Sequence, residues 1–196
     1  MSKPRRVGNE TSETRARLLD ATEQVMLAEG YASVTSRRVA KETGVTAALV
    51  HYYFSTIDDL FLAVIRRRGE QSAKRQERAL SGPQPFHALW ELSKERAGTG
   101  LLMEFVALAH HRKVIATEIA EQAAESRMAQ LGTLRDIIER TDLGPDDLSP
   151  EAILVLIASV SRTIALEESL GMDVGLAQTT AFIEGLLTRI DGTDER

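Results

Sequence analysis

Every long apolar run in this chain repeats at the spacing of a helix face, and none alternates as a strand does. From Ser12 to Glu29, the positions Leu18, Leu19, Thr22, Val25 and Met26 follow that spacing, and Gly30 supplies the stop, because the left-handed conformation there costs glycine nothing. Thr35 caps a short helix that ends near Thr43, with Gly44 as its stop, and Thr46 caps another that runs through Tyr53. Ser55-Thr56-Ile57-Asp58 reads as a capping box opening a fourth helix, with Leu60, Phe61, Val64 and Ile65 facing inward, which continues through Arg66-Arg67-Arg68 towards Arg78. Past Ser81-Gly82-Pro83-Gln84-Pro85, a cluster of helix breakers, the pattern predicts helices near 86–97, 100–112, 114–140, 150–170 and 173–190. Gly144-Pro145-Asp146-Asp147 reads as a loop, Ser149 with Pro150 opens the next helix, and fraying is expected from Asp191 onward. The fold class is therefore all-α.

The 196 residues suffice for one domain of ordinary size plus a small one, and 43% hydrophobic content lets them bury a core. The absence of Cys excludes disulfide scaffolds, thiolate zinc sites and cysteine nucleophiles. Met1-Ser2-Lys3-Pro4-Arg5-Arg6 is basic, but no apolar run follows, so it is not a secretory signal. No segment approaches the roughly 20 apolar residues of a membrane span. A soluble, cytoplasmic protein without a membrane partner is expected. A net charge of -5, taken whole, argues against nucleic acid, but it is unevenly spread. Residues 1–78 hold 14 Lys+Arg against 10 Asp+Glu, and residues 79–196 hold 10 against 19. The basic and acidic parts suit different partners.

Val34 to Leu60 carries most of the information. Two short helices flank a turn around Thr43-Gly44-Val45, which is the spacing of a helix-turn-helix whose second helix enters the DNA major groove. Val39, Ala40, Val45, Val50 and Phe54 can pack inward, with the small Ala40 allowing close approach. Thr46, Ala47, Ala48, Leu49, His51, Tyr52 and Tyr53 are left facing outward. Adjacent tyrosines cannot point the same way, so at least one is exposed.

These residues resemble the TetR/AcrR family of transcriptional regulators. The match runs through Thr35, Arg37, Val39-Ala40, Gly44-Val45-Thr46, Val50, Tyr52-Tyr53-Phe54, Thr56, Asp58 and Leu60, and is close over about residues 11–65. Beyond those, only length and helical pattern agree. The resemblance implies that Thr35 and Ser36 contact phosphates at a helix N-terminus and that Arg37 reaches a base edge. It places Ala47, Ala48, Leu49 and His51 at base-reading positions, and Tyr52 and Tyr53 against the phosphate backbone. Many members carry Lys or Arg where Ala47 stands, Gly where Ala48 stands and Lys where Ile57 stands. Readout here would rest on Arg37, His51, thymine-methyl contact and DNA shape.

The rest of the chain offers weaker signals. Arg66-Arg67-Arg68 suits helix surface or ion pairs, and Lys3, Arg5 and Arg6 suit either a minor-groove arm or a tail. Arg38 suits either a solvated face or DNA. His110-His111 point about 100° apart on a helix, so no metal site is expected. Glu167-Glu168 and Asp146-Asp147 have no nucleophile beside them, so no catalytic residue is assigned and no enzyme activity is expected. The run from Leu101 to Ala109 nearly encircles its helix, which suits a buried central helix, a ligand cavity wall, or both. Trp90, Leu101, Leu102, Glu104, Phe105, Leu108, His110, His111 and Met128 are the candidate ligand-binding residues.

Ile153, Leu154, Ile157, Val160, Ser161 and Ile164 form one apolar stripe near the end of the chain, and Leu176, Thr180, Ile183, Leu187 and Ile190 form another. Both suit packing on their own chain. The resemblance implies a homodimer built from the last two helices, with Leu154, Ile157, Ser161, Ile164, Leu176, Thr180, Ile183 and Leu187 at its interface. A twofold dimer also matches a pseudo-palindromic site.

The expected organisation is a three-helix helix-turn-helix domain over 11–68 and a helical ligand-binding and dimerisation domain over 80–196, with dimerisation helices at 150–190. The expected function is repression at a double-stranded operator, relieved by a small hydrophobic effector, with no cofactor. A helical enzyme with a vestigial motif and a regulator answering to a protein partner are the alternatives.

Overall fold

A computed structural model of the chain describes residues 13–138 and 149–191. The Gly144–Asp147 loop and the basic residues Lys3, Arg5 and Arg6 lie outside the described residues. Those that are described form helices and connecting turns with no strand, as the periodicity predicts. The helices are α1 (Glu13–Glu29), α2 (Ser36–Thr43), α3 (Ala47–Tyr53), α4 (Ile57–Leu80), α5 (Pro85–Ser93), α6 (Arg96–Ala109), α7 (Lys113–Ile138), α8 (Pro150–Ser169) and α9 (Leu176–Asp191), with a 3₁₀ turn at Tyr31–Ser33. No single described helix is long and apolar enough to cross a membrane.

The helix boundaries follow local chemistry. Thr35 accepts the Arg38 N–H at 3.1 Å, Thr46 the Leu49 N–H at 3.3 Å and Ser149 the Ala152 N–H at 3.1 Å, so all three expected caps form. Each such cap contributes about 1 kcal/mol. Gly30 and Gly44 take φ of 81° and 70°, a conformation that strains any other residue. The capping box sits one residue later than expected. Thr56 and Asp59 exchange it, with the Asp59 N–H donating to Thr56 Oγ1 at 3.1 Å and the Thr56 N–H to Asp59 Oδ2 at 2.9 Å. Asp58 is thereby free to pair with Arg112.

Compactness divides the chain into two units, and the division cuts across the expected boundary near residue 80. The first unit takes residues up to Gly69 together with Gly100–Gln122. The second takes Glu70–Thr99 and the residues from Ala123 onward. The reason lies in core supply. A segment of about 60 residues buries too small a share of its surface to be more than marginally stable. Leu101, Phe105, Leu108 and Ile115 therefore join Leu18, Leu19, Val25, Met26, Val39, Val50, Phe54, Leu60, Phe61 and Val64 in one apolar cluster. Phe105 meets Phe61 edge to face, with centroids 6.3 Å apart.

Ion pairs fasten this arrangement. Arg112 pairs with Asp58 in the first turn of α4, and Arg66 pairs with Glu118 of α7 at 2.6 Å. Arg67 bridges Asp20 and Glu23 of α1, so Arg66 to Arg68 make ion pairs as expected. The Arg66 guanidinium, donating to Glu118, holds that carboxyl below its ordinary pKa.

The second unit has its own core of Phe86, Leu89, Trp90, Leu131, Leu134, Ile153, Leu154, Ile157, Ile164, Ile183, Leu187 and Ile190. Fraying at Asp191 does not occur: it closes α9, and its buried carboxylate caps α5. Its oxygens accept the Phe86 N–H at 3.1 Å and the His87 N–H at 3.0 Å, and His87 Nδ1 lies 2.9 Å away. Pro85 at the first helical position leaves those two N–H groups as the ones needing acceptors.

Candidate nucleic-acid interface

The α2–turn–α3 segment is held from behind by α1. Arg17 donates to the Thr43 carbonyl at 2.8 Å, placing a cation on the free carbonyl end of α2. The Arg15 guanidinium lies 5.2 Å from the Phe54 ring centroid, just past α3. Val50 and Phe54 are buried, and Ala47 and Tyr53 are half-buried against the same cluster. What α3 leaves outward is Thr46, Ala48 and Tyr52, with Leu49 and His51 half-exposed. Ala47 and Tyr53 thus turn further inward than a uniformly outward helix allows. Tyr52 is 45% exposed and meets Tyr53 edge to face, so one ring supports the other.

Two adjacent arginines on α2 part ways. Arg38 donates to Glu29 and Glu42, each at 2.6 Å, and these bonds hold the guanidinium protonated and the Glu29 carboxyl below its ordinary pKa. Arg37 is exposed and makes no ion pair among the described residues. Lys41, exposed one turn further along the same face, was not among the expected contacts. Its i+4 spacing from Arg37 is the signal that could have found it. Thr35 is exposed beside them, and Ser36 is half-exposed. The surface offers two cations, a helix N-terminus and an aromatic hydroxyl, all suited to phosphate and base edges.

The nine candidate ligand-binding residues divide between the two units, with Trp90 and Met128 in the second and the other seven in the first. Leu101, Phe105 and Leu108 fill the first unit's core, and Glu104 accepts the Tyr31 N–H at 2.7 Å. Leu102 is half-buried, and His110 and His111 are exposed at the end of α6. Trp90 is fully buried in the second unit, where its Nε1–H meets no acceptor among the described residues. Met128 is 67% exposed. An apolar helix face reports burial but not which neighbours bury it, and here the α6 face was claimed by the first unit's core. A cleft of about 450 Å³ lies elsewhere in the second unit, lined by Arg75, Arg78, Ala79, Ala88, Glu91, Leu92 and Glu95.

The expected dimer residues are placed within their own chain as follows. Leu154, Ile157, Ser161, Ile164, Ile183 and Leu187 are buried in their own chain, and Leu176 and Thr180 are half-buried. The stripes are the inward faces of α8 and α9. Their outward faces expose Val155, Leu156, Leu166 and Phe182 instead.

A capped helix-turn-helix in an all-helical chain defines a helix-turn-helix protein. Residues 18–64, about a quarter of the chain, match the family model described as bacterial regulatory proteins, tetR family. It is 33% identical over 64 residues to the HTH-type transcriptional regulator SrpR of Pseudomonas putida, covering 33% of this chain and 30% of that one. It is 29% identical over 138 residues to the HTH-type transcriptional repressor BepR of Brucella suis, covering 69% of this chain and 61% of that one. The chain thus matches between about a third and three fifths of these relatives' length. A transcriptional regulator, so described, from Saccharomonospora viridis in complex with choline shares the fold. Its TM-score is 0.76 at 16% identity, over 90% of this chain and 96% of that one. The proteins matched are regulators by name, not enzymes.

Proposed function

We propose that this chain is a dimeric, sequence-specific DNA-binding repressor whose grip on its operator is relieved by a small molecule. The observation that carries the reading is the split between Arg37 and Arg38. One arginine is neutralised within the fold while its neighbour stays exposed beside the outward face of α3. In this reading α3 enters the major groove, Arg37 meets a base edge, and Thr35, Ser36, Lys41 and Tyr52 meet phosphates. Ala48, Leu49 and the half-turned Ala47 present methyl surface to thymines, with His51 the polar reader. The repressor name of BepR supports this direction of regulation.

Two recognition helices on one pseudo-palindromic duplex need a twofold partner. The outward apolar residues of α8 and α9, Phe182 above all at 67% exposure, supply a surface for a second copy. A Phe182→Glu variant is expected to run as a monomer in sedimentation at micromolar concentration, and an unchanged dimer would remove this interface.

The effector reading rests on the second unit. Its open cleft of about 450 Å³ is lined by Ala79, Ala88 and Leu92 together with Arg75, Arg78, Glu91 and Glu95. The choline complex of the S. viridis regulator supports a small organic effector. A molecule with an apolar body and a charged end fits that lining. Effector binding relieves repression only if it favours the conformation that grips DNA less well.

The test is enrichment from a random duplex pool by the intact chain. A repressor of this kind enriches one pseudo-palindromic sequence, and a pool left unenriched would sink the reading.

A further inference from the structure

Glu104 is the only charged residue on the apolar stretch Leu101–Ala109, and it is half-buried. Its Oε2 accepts the Tyr31 backbone N–H at 2.7 Å, across 73 positions of sequence. Tyr31 opens the 3₁₀ turn between α1 and α2, directly after Gly30 with its φ of 81°. A side chain at Gly30 would stand 3.6 Å from that same oxygen, so backbone and carboxylate lie in contact. One turn back along α6, Gly100 lies against the Leu27 side chain, 3.4 Å from where a Cβ would stand. One face of α6 is therefore seated on the end of α1.

From that corner the contacts lead to the reading surface. The Val34 N–H donates to the Tyr31 carbonyl at 3.1 Å, and Thr35 follows as the cap of α2. Glu29, at the other side of Gly30, holds Arg38 at 2.6 Å, and Arg38 is the neighbour of Arg37. The α1–α2 corner thus sets where α2 starts, and α2 carries Arg37 and Lys41.

We propose that Glu104 is a positioning residue for DNA reading. Its carboxylate on α6 fixes the Gly30–Tyr31 corner by a charge-assisted hydrogen bond, and so fixes the pose of α2 and the helix that follows it. Because α6 lies far along the chain from the reading helices, any displacement of α6 reaches them through this bond as well as through α4. The inference rests on the DNA-binding reading above.

Charge and geometry predict opposite signs, which makes the test decisive. Glu104 is an anion, and removing an anion by electrostatics alone strengthens DNA binding. Removing a positioning bond weakens it. The probe is the duplex enriched from a random pool by the wild-type chain, with Glu104→Ala and Glu104→Gln compared at one salt concentration. Glu104→Ala is expected to lose about tenfold in affinity, which corresponds to about 1.4 kcal/mol. Glu104→Gln keeps an oxygen that can accept the Tyr31 N–H, and is expected to stay within about threefold of wild type.

A second readout needs no DNA. Exchange of the Tyr31 amide proton should accelerate in Glu104→Ala and remain slow in Glu104→Gln, and the Tyr31 amide resonance should differ between Glu104→Gln and the wild type. Equal DNA affinity of Glu104→Ala and wild type overturns the proposal while leaving the DNA-binding reading intact. A Tyr31 amide indifferent to Glu104 also overturns it, even where Glu104→Ala is too unstable to assay. Failure of the wild type to enrich any duplex removes the DNA-binding reading, and this proposal with it.

Discussion

Phe105→Ala should loosen the helix-turn-helix although it lies more than fifty residues beyond it. Phe105 is 5% exposed and stacks edge to face on Phe61 within the cluster that also buries Val39, Val50 and Phe54. Burying such a side chain contributes about 2–3 kcal/mol, and the aromatic pair adds about 0.5–1.5 kcal/mol. The cavity left behind raises the expected loss to about 3–5 kcal/mol. Urea denaturation gives the total, and hydrogen exchange resolved by peptide gives its place. Peptides from α1, α2 and α3 should lose protection in Phe105→Ala. Leu187→Ala, whose side chain is 1% exposed in the other core, should instead open α5, α8 and α9. A loss below about 1 kcal/mol, or one confined to the second unit's peptides, would refute the claim that α6 completes the reading unit's core.

Other substitutions separate the remaining contacts. Arg37→Ala should relax discrimination at one base pair by about 1–3 kcal/mol in a binding series over single-substituted duplexes, while Arg38→Ala changes discrimination far less. Asp191→Ala should cost about 1–2 kcal/mol in urea denaturation, because two α5 N–H groups lose their acceptor. The lowered carboxyls of Glu29, Glu118 and Glu151 contribute stability at and above the ordinary value of 4.5, and that contribution disappears as pH falls through their lower folded values. Glu118→Gln should flatten that part of the acid limb in stability measured against pH.

Local chemistry made the helix ends legible. Thr35, Gly44, Thr46 and Ser149 act through hydrogen bonds within a few residues of themselves, so their roles were readable from spacing. So was the inward set Leu60, Phe61, Val64 and Ile65, because one helix face repeats. The identity of a face's partner was not readable. Leu101, Phe105 and Leu108 carry the same signal whether they wall a cavity or complete another unit's core, and Leu154 and Ile183 whether they pack on their own chain or a second one. A one-residue ambiguity at Ser55-Thr56 displaced the capping box, since both hydroxyls have an Asp three positions on. The bond from Glu104 to a backbone N–H left no trace in the sequence, because the acceptor's partner has no side-chain identity.

The central claim is that residues on α2 and α3 meet phosphate and base edges, and the salt dependence of binding tests it most directly. Two copies, each presenting Lys41 to a phosphate, displace counterions from at least about two phosphates, which predicts a log-log slope of about −1.8 or steeper for the enriched duplex. A slope near zero, or an unchanged slope when Arg37 and Lys41 are both replaced by Ala, would contradict it.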